Sequence, residues 1–363
     1  MKQIISFPHL GNYYHPIKYL LEHTTNDEVI EAPPITKKTI ELGEKYSPSD
    51  VCIPFKYNLG NFIEALDNGA DILFQAGGGC RYRYYGEVQE QILRDLGYDF
   101  KFIKIVSKDR IHIKELYHIF KDLNKSLTFH KFIHTALITF FYIYYMDKID
   151  VIIRRNIGFA NNKNDFLTLQ KNMFKSFSSC NCLISLTFNY FKYKRRFKRL
   201  KISKPKNCLK VGIIGELYTS MEHNSSYFLE EKLASMNIEI KRYTDLSYLL
   251  FFKGLFTKHM LRVSKKYCKY TLGADGLDNV YRTIKLSKKY DGIIHTKPFG
   301  CTPEVGAIPI IKKVAAEKNI PIIFFSFDNN TSVEGMNTRL EAFYDLIKYR
   351  KEKLWKKDTW ELI

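Results

Sequence analysis

Short apolar runs alternate with amphipathic stretches near both ends of the chain. The runs are rich in β-branched residues, which is typical of buried strands, and the stretches between them carry apolar residues at helical spacing. This alternation predicts an α/β fold with parallel sheets and helices on the faces of each sheet. The predicted strands comprise residues 2–7, 27–32, 70–75, 100–106, 209–214, 238–243, 292–296 and 321–327.

The pattern changes in the middle of the chain. The run at 129–146 is apolar and aromatic, but it is short and polar at its start, so we predict a buried helix rather than a membrane span. Residues 112–124 and 165–204 also have helical spacing. We therefore predict two Rossmann- or flavodoxin-like lobes with a helical insertion and basic linker between them. The predicted domains are an N-terminal lobe at 1–107, the insertion and linker at 108–207, and a C-terminal lobe at 208–363.

Three cysteines each lie at a turn that leads into a predicted helix. Cys301 follows the strand at 292–296 and precedes Thr302, Pro303 and Glu304. Threonine is a good N-cap, proline suits the first helical position, and a carboxylate is stabilised by the helix dipole. The sequence therefore predicts a helix capped by Thr302, with the Cys301 thiol beside its N-terminus. Such a setting lowers the pKa of a thiol and favours a thiolate.

Cys52 and Cys80 have similar surroundings. Cys52 precedes a helical pattern, and Cys80 follows a strand and the glycines Gly77, Gly78 and Gly79. Because strand-to-helix turns of open α/β sheets share one edge, we expect the three cysteines to converge there. Soft thiolate ligands suit an iron–sulfur cluster better than a hard cation, and glycine N–H groups could bind its sulfides. The alternative for each single cysteine is a small buried hydrophobic residue.

Several neighbouring side chains could support such a site. Lys56, Arg81 and Lys297 lie beside the cysteines and could offset the charge of a cluster, or could simply be solvated. His295 is interpreted as a hydrogen-bonded core histidine. Glu304 either serves the helix N-terminus or transfers protons near Cys301.

The composition adds a strong positive charge. The formal net charge is +19, and much of it lies at 191–206, where Tyr193 and Phe197 alternate with cations. This run is interpreted as a solvated helix end and linker, with a nucleic-acid patch as the disfavoured alternative. Seven cysteines without a regular framework, and no apparent N-terminal signal, predict a cytoplasmic protein. The chain has neither a P-loop nor a GxGxxG fingerprint, so we do not expect it to hydrolyse ATP itself.

The cysteine segments resemble one known family. Cys52-Ile-Pro-Phe-Lys56, Gly-Gly-Gly-Cys80-Arg-Tyr-Arg-Tyr-Tyr-Gly-Glu and Lys297-Pro-Phe-Gly-Cys301-Thr-Pro-Glu304 are similar to motifs of the 2-hydroxyacyl-CoA dehydratase family. The similarity is strongest to its acyl-CoA dehydratase activase-related branch, which is related to benzoyl-CoA reductases and double-cubane cluster proteins. It spans residues 1–107 and 208–349.

The resemblance implies an anaerobic electron-transfer function. Cys52, Cys80 and Cys301 would be the ligands of a [4Fe–4S] cluster. An ATP-dependent activator protein with its own cluster would supply low-potential electrons for radical or reductive chemistry on an acyl-CoA or another small molecule. A homologous second subunit or a homodimer is a further implied partner, and no membrane is expected.

The chain also departs from the family pattern. Many relatives have a second cysteine in the glycine-rich turn, whereas this chain has Cys80 alone, so a double-cubane cluster is not expected. No segment identifies an acyl-CoA pocket, and whether the chain is an enzyme is therefore open. The alternatives are a non-catalytic electron-transfer or accessory cluster subunit, and a basic nucleic-acid-binding protein.

Overall fold

The chain forms two compact units. The computed structural model describes residues 2–77, 80–106 and 113–360, with side chains up to residue 353. Unit 1 comprises Met1–Ile149 and Leu167–Arg199, and unit 2 comprises Asp150–Phe166 and Leu200–Ile363. The region predicted as an insertion, 108–207, thus contributes helices to both units. The domain boundaries at residues 107 and 207 stay a prediction.

Unit 1 contains a four-stranded parallel sheet. Its order is β2-β1-β3-β4, and Ile5 of β1 pairs with Val29 on one side and Ile72 on the other. This order is that of flavodoxin-like sheets. The strands are β1 (Ile4–Ser6), β2 (Glu28–Val29), β3 (Ile72–Gly77) and β4 (Lys101–Val106). The helices are α1 (Tyr14–Thr24), α2 (Lys37–Tyr46), α3 (Ile53–Asp67), α4 (Tyr85–Asp95), α5 (Ile113–Leu123), α6 (Phe129–Asn156), α7 (Lys163–Ser178) and α8 (Leu183–Lys198), of which the end of α6 and the start of α7 belong to unit 2.

Unit 2 repeats the same strand order. Its parallel sheet has the order β6-β5-β7-β8, and all seven residues of β7 are buried. The strands are β5 (Lys210–Gly215), β6 (Glu239–Arg242), β7 (Gly292–Pro298) and β8 (Ile322–Phe327). The helices are α9 (Leu217–Met221), α10 (Leu229–Ser235), α11 (Lys253–Ser264), α12 (Gly276–Leu286), α13 (Thr302–Glu317) and α14 (Val333–Trp360). Two parallel four-stranded sheets with flanking helices confirm the predicted fold class.

The core lies on both faces of each sheet, as the apolar strand runs predict. In unit 1, Ile72 and Phe74 pack on one face with residues of α1, α5 and α6. Leu73, between them, packs on the other face with residues of α3 and α4. This alternation follows from the period of two along a strand. The alternation determines which helices cover each face of the sheet. The turns that carry Cys80 and Cys301 lie at the carboxyl ends of strands.

The helix predicted at 129–146 is present and continues to Asn156. Its inner face is buried through Phe132, Ile138, Tyr142 and Met146. No helix in the described parts of the chain is long and apolar enough to cross a membrane. The buried-helix interpretation of this run is thereby confirmed.

A buried ion cluster anchors the last turns of α6 in unit 2. Arg154 donates to Glu230 at 2.9 Å and to Asp150 at 3.1 Å, and Arg242 donates to Glu230 at 3.1 Å. Burial alone would raise the pKa of Glu230, but the charges of Arg154 and Arg242 outweigh it and lower the pKa to about 2. Residues 150–166 are therefore tied to α10 and β6 by paired charges.

Candidate functional site

Each sheet has a topological switch point where its strand order reverses. In open α/β sheets, ligands bind in the crevice at the carboxyl ends of the strands at this point. It lies between β1 and β3 in unit 1 and between β5 and β7 in unit 2. Cys80 is the third residue after β3, and Cys301 is the third residue after β7. The two cysteines thus occupy equivalent positions in the two sheets.

Cys52 is brought to the same edge of unit 1 by the helical pair α2 and α3. These helices run antiparallel and so close together that a Cβ at Gly43 would overlap the carbonyl of Lys56, and one at Gly60 that of Thr39. Cys52 is the N-cap residue of α3. Its Sγ lies 2.9 Å from the Tyr85 hydroxyl at the start of α4.

Tyr85 interacts with both Cys52 and Cys80 in unit 1. Burial raises the pKa of Tyr85 strongly, and the charges of Cys52 and Cys80, together with the hydrogen bond to Cys52, raise it further. The Cys80 Sγ accepts a hydrogen bond from the Tyr82 amide at 3.4 Å. Tyr85 therefore contacts Cys52 and lies close enough to Cys80 for their charges to interact. Tyr82 and Tyr85 were not among the predicted site residues, although their spacing of three residues places them on adjacent turns.

Lys56, Arg81 and the glycines at 77–79 were also predicted for this site. The Lys56 ammonium pairs with Glu44 at 2.9 Å, so its charge is largely compensated. Arg81 is exposed at the start of a short 3-10 helix, Arg81–Tyr84. A Cβ at Gly77 would lie 2.9 Å from the Tyr82 carbonyl, so the turn needs a glycine there. Gly78 and Gly79 lie outside the described residues.

Unpaired buried polar atoms surround this edge. Within the described residues, the Gln75 side-chain amide and the Arg83 Nε have no hydrogen-bond partner. Gln75 lies on β3 and is 4% exposed. Buried polar groups in folded proteins are normally paired, and unpaired ones indicate water or a ligand. The thiols at helix N-termini, with the Tyr82 amide and the Tyr85 hydroxyl as hydrogen-bond partners, would fit an anionic iron–sulfur cluster, whose sulfides accept hydrogen bonds.

In unit 2, Cys301 itself is the N-cap of α13. The Val305 amide donates to the Cys301 carbonyl at 2.9 Å and closes the first helical turn. The prediction that Thr302 caps the helix is therefore wrong by one residue. Gly300, with φ of +74°, turns the chain so that Cys301 enters the helix directly.

Glu304 lies behind Cys301 in a buried network. Its carboxylate accepts from Asn279 Nδ2 at 2.9 Å and lies 2.6 Å from His295 Nε2. The Asn279 Oδ1 in turn accepts from the Gly215 amide at 3.1 Å. The interpretation of His295 as a hydrogen-bonded core histidine is confirmed, since it is fully buried. A catalytic role of Glu304, which is 1% exposed, stays a prediction.

Lys297 lies on β7 beside this network. It is only 6% exposed, and its ammonium donates to the Pro298 carbonyl at 3.4 Å. Burial lowers the pKa of Lys297, and the charges of Cys301 and Glu304 partly oppose this shift. Lys297 therefore lies close enough to Cys301 for their charges to interact.

Glu216, which follows β5 at the switch point, was not among the predicted site residues. Its amide donates to the Thr296 carbonyl at 2.9 Å, and its carboxylate accepts from the amides of Tyr218 and Thr219. Burial raises the pKa of Glu216 to about 7, with a contribution from the negative charge of Asp275. A glutamate directly after a strand was visible in the sequence, but its neighbour Asp275 is distant along the chain.

Glu216→Gln is expected to change how stability depends on pH. The folded state raises the pKa of Glu216 from 4.5 to about 7, so it favours the protonated carboxyl. Ionisation therefore costs the wild type stability as the pH rises from about 4.5 to 7, and glutamine does not ionise. Relative to wild type, the variant should gain up to about 3 kcal/mol across this window. Urea unfolding at several pH values would measure the difference, and a difference independent of pH would contradict the prediction.

The structure does not test the convergence of all three cysteines. Cys52 and Cys80 belong to unit 1, and Cys301 belongs to unit 2. Among the residues that the structure describes, no group of three or more His, Cys, Asp or Glu side chains is arranged to hold a metal ion. A shared three-cysteine ligand set therefore stays a prediction.

The fold and these edges define a class of protein. It is a doubly wound α/β protein with two flavodoxin-like sheets and a cysteine at the switch point of each. Residues 215–347, just over a third of the chain, match the family model for the D-component of 2-hydroxyglutaryl-CoA dehydratase. This match agrees with the resemblance of the cysteine motifs to the 2-hydroxyacyl-CoA dehydratase family. The matched segment begins at Gly215 and includes Glu216, Cys301 and Glu304. No curated protein matches the chain.

Proposed function

We propose that this chain is a cluster-bearing component of a 2-hydroxyacyl-CoA dehydratase system. Cys52, Cys80 and Cys301 would hold a [4Fe–4S] cluster, which would supply electron transfer, with low-potential electrons from an ATP-dependent activator, for chemistry on an acyl-CoA or small molecule. The observation that carries this proposal is the position of Cys301 at the switch point within the family match. The grouping of Cys52 and Cys80 around Tyr85 supports it.

Groups of this chain near the cysteines favour the thiolate form that binds a cluster. Cys52 and Cys301 are N-cap residues of α3 and α13, so the positive ends of two helices favour their thiolates. The Tyr85 hydroxyl can donate to the Cys52 Sγ, and the Lys297 charge acts on Cys301. A bound cluster would supply electron transfer and a Lewis-acidic iron.

Two carboxyl groups of unit 2 have separate roles in this proposal. Both Glu304 oxygens accept from Asn279, and His295 contacts one of them, so this residue positions the start of α13. Glu216 has a pKa of about 7 and lies at the end of β5, where it can hold or release a proton at neutral pH. We therefore assign proton transfer at this edge to the Glu216 carboxyl.

Metal analysis of anaerobically purified protein tests the proposal. We expect about four irons and four sulfides per complete site. Cys52→Ser, Cys80→Ser and Cys301→Ser should each lower the iron content and the visible absorption strongly, because each removes a thiolate ligand. Cys182→Ser changes an exposed cysteine at the start of α8 and is the matched control.

The outcomes separate the alternatives. Iron that is unchanged in all three variants, or zinc in its place, would refute the ligand assignment. A spectrum that changes when an acyl-CoA is added supports a catalytic component, whereas a substrate-independent spectrum indicates an electron-transfer or accessory subunit. For the nucleic-acid alternative, Tyr193 and Phe197, the two aromatic residues that alternate with the cations, are buried at 3% and 2% exposure and are not available to stack on bases.

A further inference from the structure

Helix α8 in unit 1 carries an exposed apolar stripe that the proposed function does not use. Ile184, Phe188 and Phe191 are 82%, 70% and 50% exposed. Their spacing of four and three residues places them on one face of the helix. The opposite face packs against α6 and α7, for example through Tyr190, which stacks on Tyr145 with ring centroids 4.2 Å apart. The stripe therefore points to solvent because the inner face of α8 is already occupied.

Cations continue the same face toward the end of the helix. Arg195, Lys198 and Arg199 follow Phe191 at helical spacing and are exposed. Residues 183–206 contain nine Lys and Arg and no Asp or Glu. Within the described residues, the cations at 192–199 have no carboxylate partner, and Lys194 lies over the rings of Tyr190 and Phe191. The face thus combines protruding apolar side chains with uncompensated positive charge.

We propose that this face of α8 binds the surface of an anionic phospholipid bilayer. Ile184, Phe188 and Phe191 would enter the boundary between headgroups and acyl chains, and Arg195, Lys198 and Arg199 would contact the phosphate groups. Helices that bind at membrane interfaces combine an apolar face with clustered Lys and Arg, and each cation near an anionic surface adds to the affinity. The proposed contact is peripheral, because no helix among the described residues is long and apolar enough to cross a bilayer, and it departs from the expectation that no membrane is involved.

The same features favour lipid over the other polyanions. Phe188 and Phe191 could stack on nucleotide bases, but Ile184, the most exposed residue of the stripe, is aliphatic and is favourably buried only in an apolar environment such as the boundary of the acyl chains. The two aromatic residues that alternate with the cations, Tyr193 and Phe197, lie on the buried side of the helix. A protein partner would need its own acidic groove, whereas a fluid anionic surface fits a single convex helix face without a matching shape.

Vesicle co-sedimentation of the full-length protein tests this inference. The protein should sediment with vesicles of phosphatidylcholine mixed with phosphatidylglycerol, much less with phosphatidylcholine alone, and less at high salt. Ile184→Ser combined with Phe188→Ser should weaken binding at least about tenfold. Arg195→Gln, Lys198→Gln and Arg199→Gln together should weaken it on the order of a hundredfold. These positions are exposed, so far-UV circular dichroism should not change.

Matched variants in unit 2 control for apolar area and charge. Leu346→Ser removes an apolar side chain that is 53% exposed, and Lys312→Gln, Lys313→Gln and Lys318→Gln together remove three exposed charges from α13 and its C-cap. Both should bind vesicles like the wild type. Equal weakening in these controls, equal binding to neutral vesicles, or binding to single-stranded RNA without binding to anionic vesicles would each overturn the inference. Iron content is measured separately, so loss of the cluster and loss of vesicle binding remain distinguishable.

Discussion

Gly215→Ala is expected to disrupt unit 2. Gly215 is the last residue of β5 and has φ of +142°, a conformation that residues with a Cβ rarely adopt. An added Cβ would overlap the Thr296 carbonyl on β7 and would lie 2.7 Å from the Thr296 hydroxyl. The two central strands would have to separate. We expect a loss of more than about 4 kcal/mol in the free energy of unfolding, a large fraction of typical stability.

Chemical denaturation followed by circular dichroism would measure this loss. Gly306→Ala is the matched control, because Gly306 lies within α13 and an added Cβ there would meet no atom within 4 Å. Alanine should stabilise that position by up to about 1 kcal/mol, since glycine is a poor helix former. A Gly215→Ala protein as stable as the wild type would show that β5 and β7 are not held this closely.

Glu304→Ala is expected to be the second strongly destabilising change. It removes the carboxylate that accepts from Asn279 and contacts His295, and all three side chains are buried. Two polar groups would be left without their partner in the core. Breaking a buried polar pair in this way costs about 3–5 kcal/mol. The unfolding midpoint in urea should fall accordingly, and Glu304→Gln should cost less because it keeps an acceptor and the side-chain shape.

A surface glutamate on the same helix is the control. Glu317 pairs with Lys266 at the exposed end of α13. Glu317→Ala should leave the midpoint nearly unchanged, because exposed ion pairs contribute little to stability. If Glu304→Ala were as mild as Glu317→Ala, the buried network would not be needed to hold α13 against β7. The cysteine variants should then be interpreted without a supporting role of Glu304.

The strands could be predicted because buried parallel strands leave a strong signal. Short runs of apolar, β-branched residues are typical of such strands. β7 is buried at every position, and its predicted end at residue 296 is two residues short of its actual end at Pro298. The start of α13 was harder. Side-chain preference alone selects Thr302 as the cap, whereas the backbone turn at Gly300 sets the helix to begin after Cys301.

Only those residues of the site that belong to a local sequence pattern could be predicted. Each cysteine could be identified from its own turn, but Tyr85 acquires its role from Cys52, and Glu216 from Asp275, across long stretches of sequence. The face of α8 shows the same limit. Both sides of this helix carry large apolar residues, so the sequence could not tell that Tyr193 and Phe197 lie inside while Phe188 and Phe191 lie outside.

The strand order of unit 2 has a consequence for biosynthesis. β5 and β6 are close in sequence. However, β5 can pair with β7 only after Gly292–Pro298 has been synthesised, and β7 can pair with β8 only after Ile322–Phe327 has been synthesised. Such distant parallel pairings form late, after the long connection has collapsed. On the ribosome, the edge that carries Cys301 is complete only after residue 327 has emerged, whereas all strands of the unit 1 sheet are present by residue 106. In a nascent chain, the strands of the unit 1 sheet, with the edge near Cys52 and Cys80, are therefore all synthesised well before those of the unit 2 sheet, with the edge that carries Cys301.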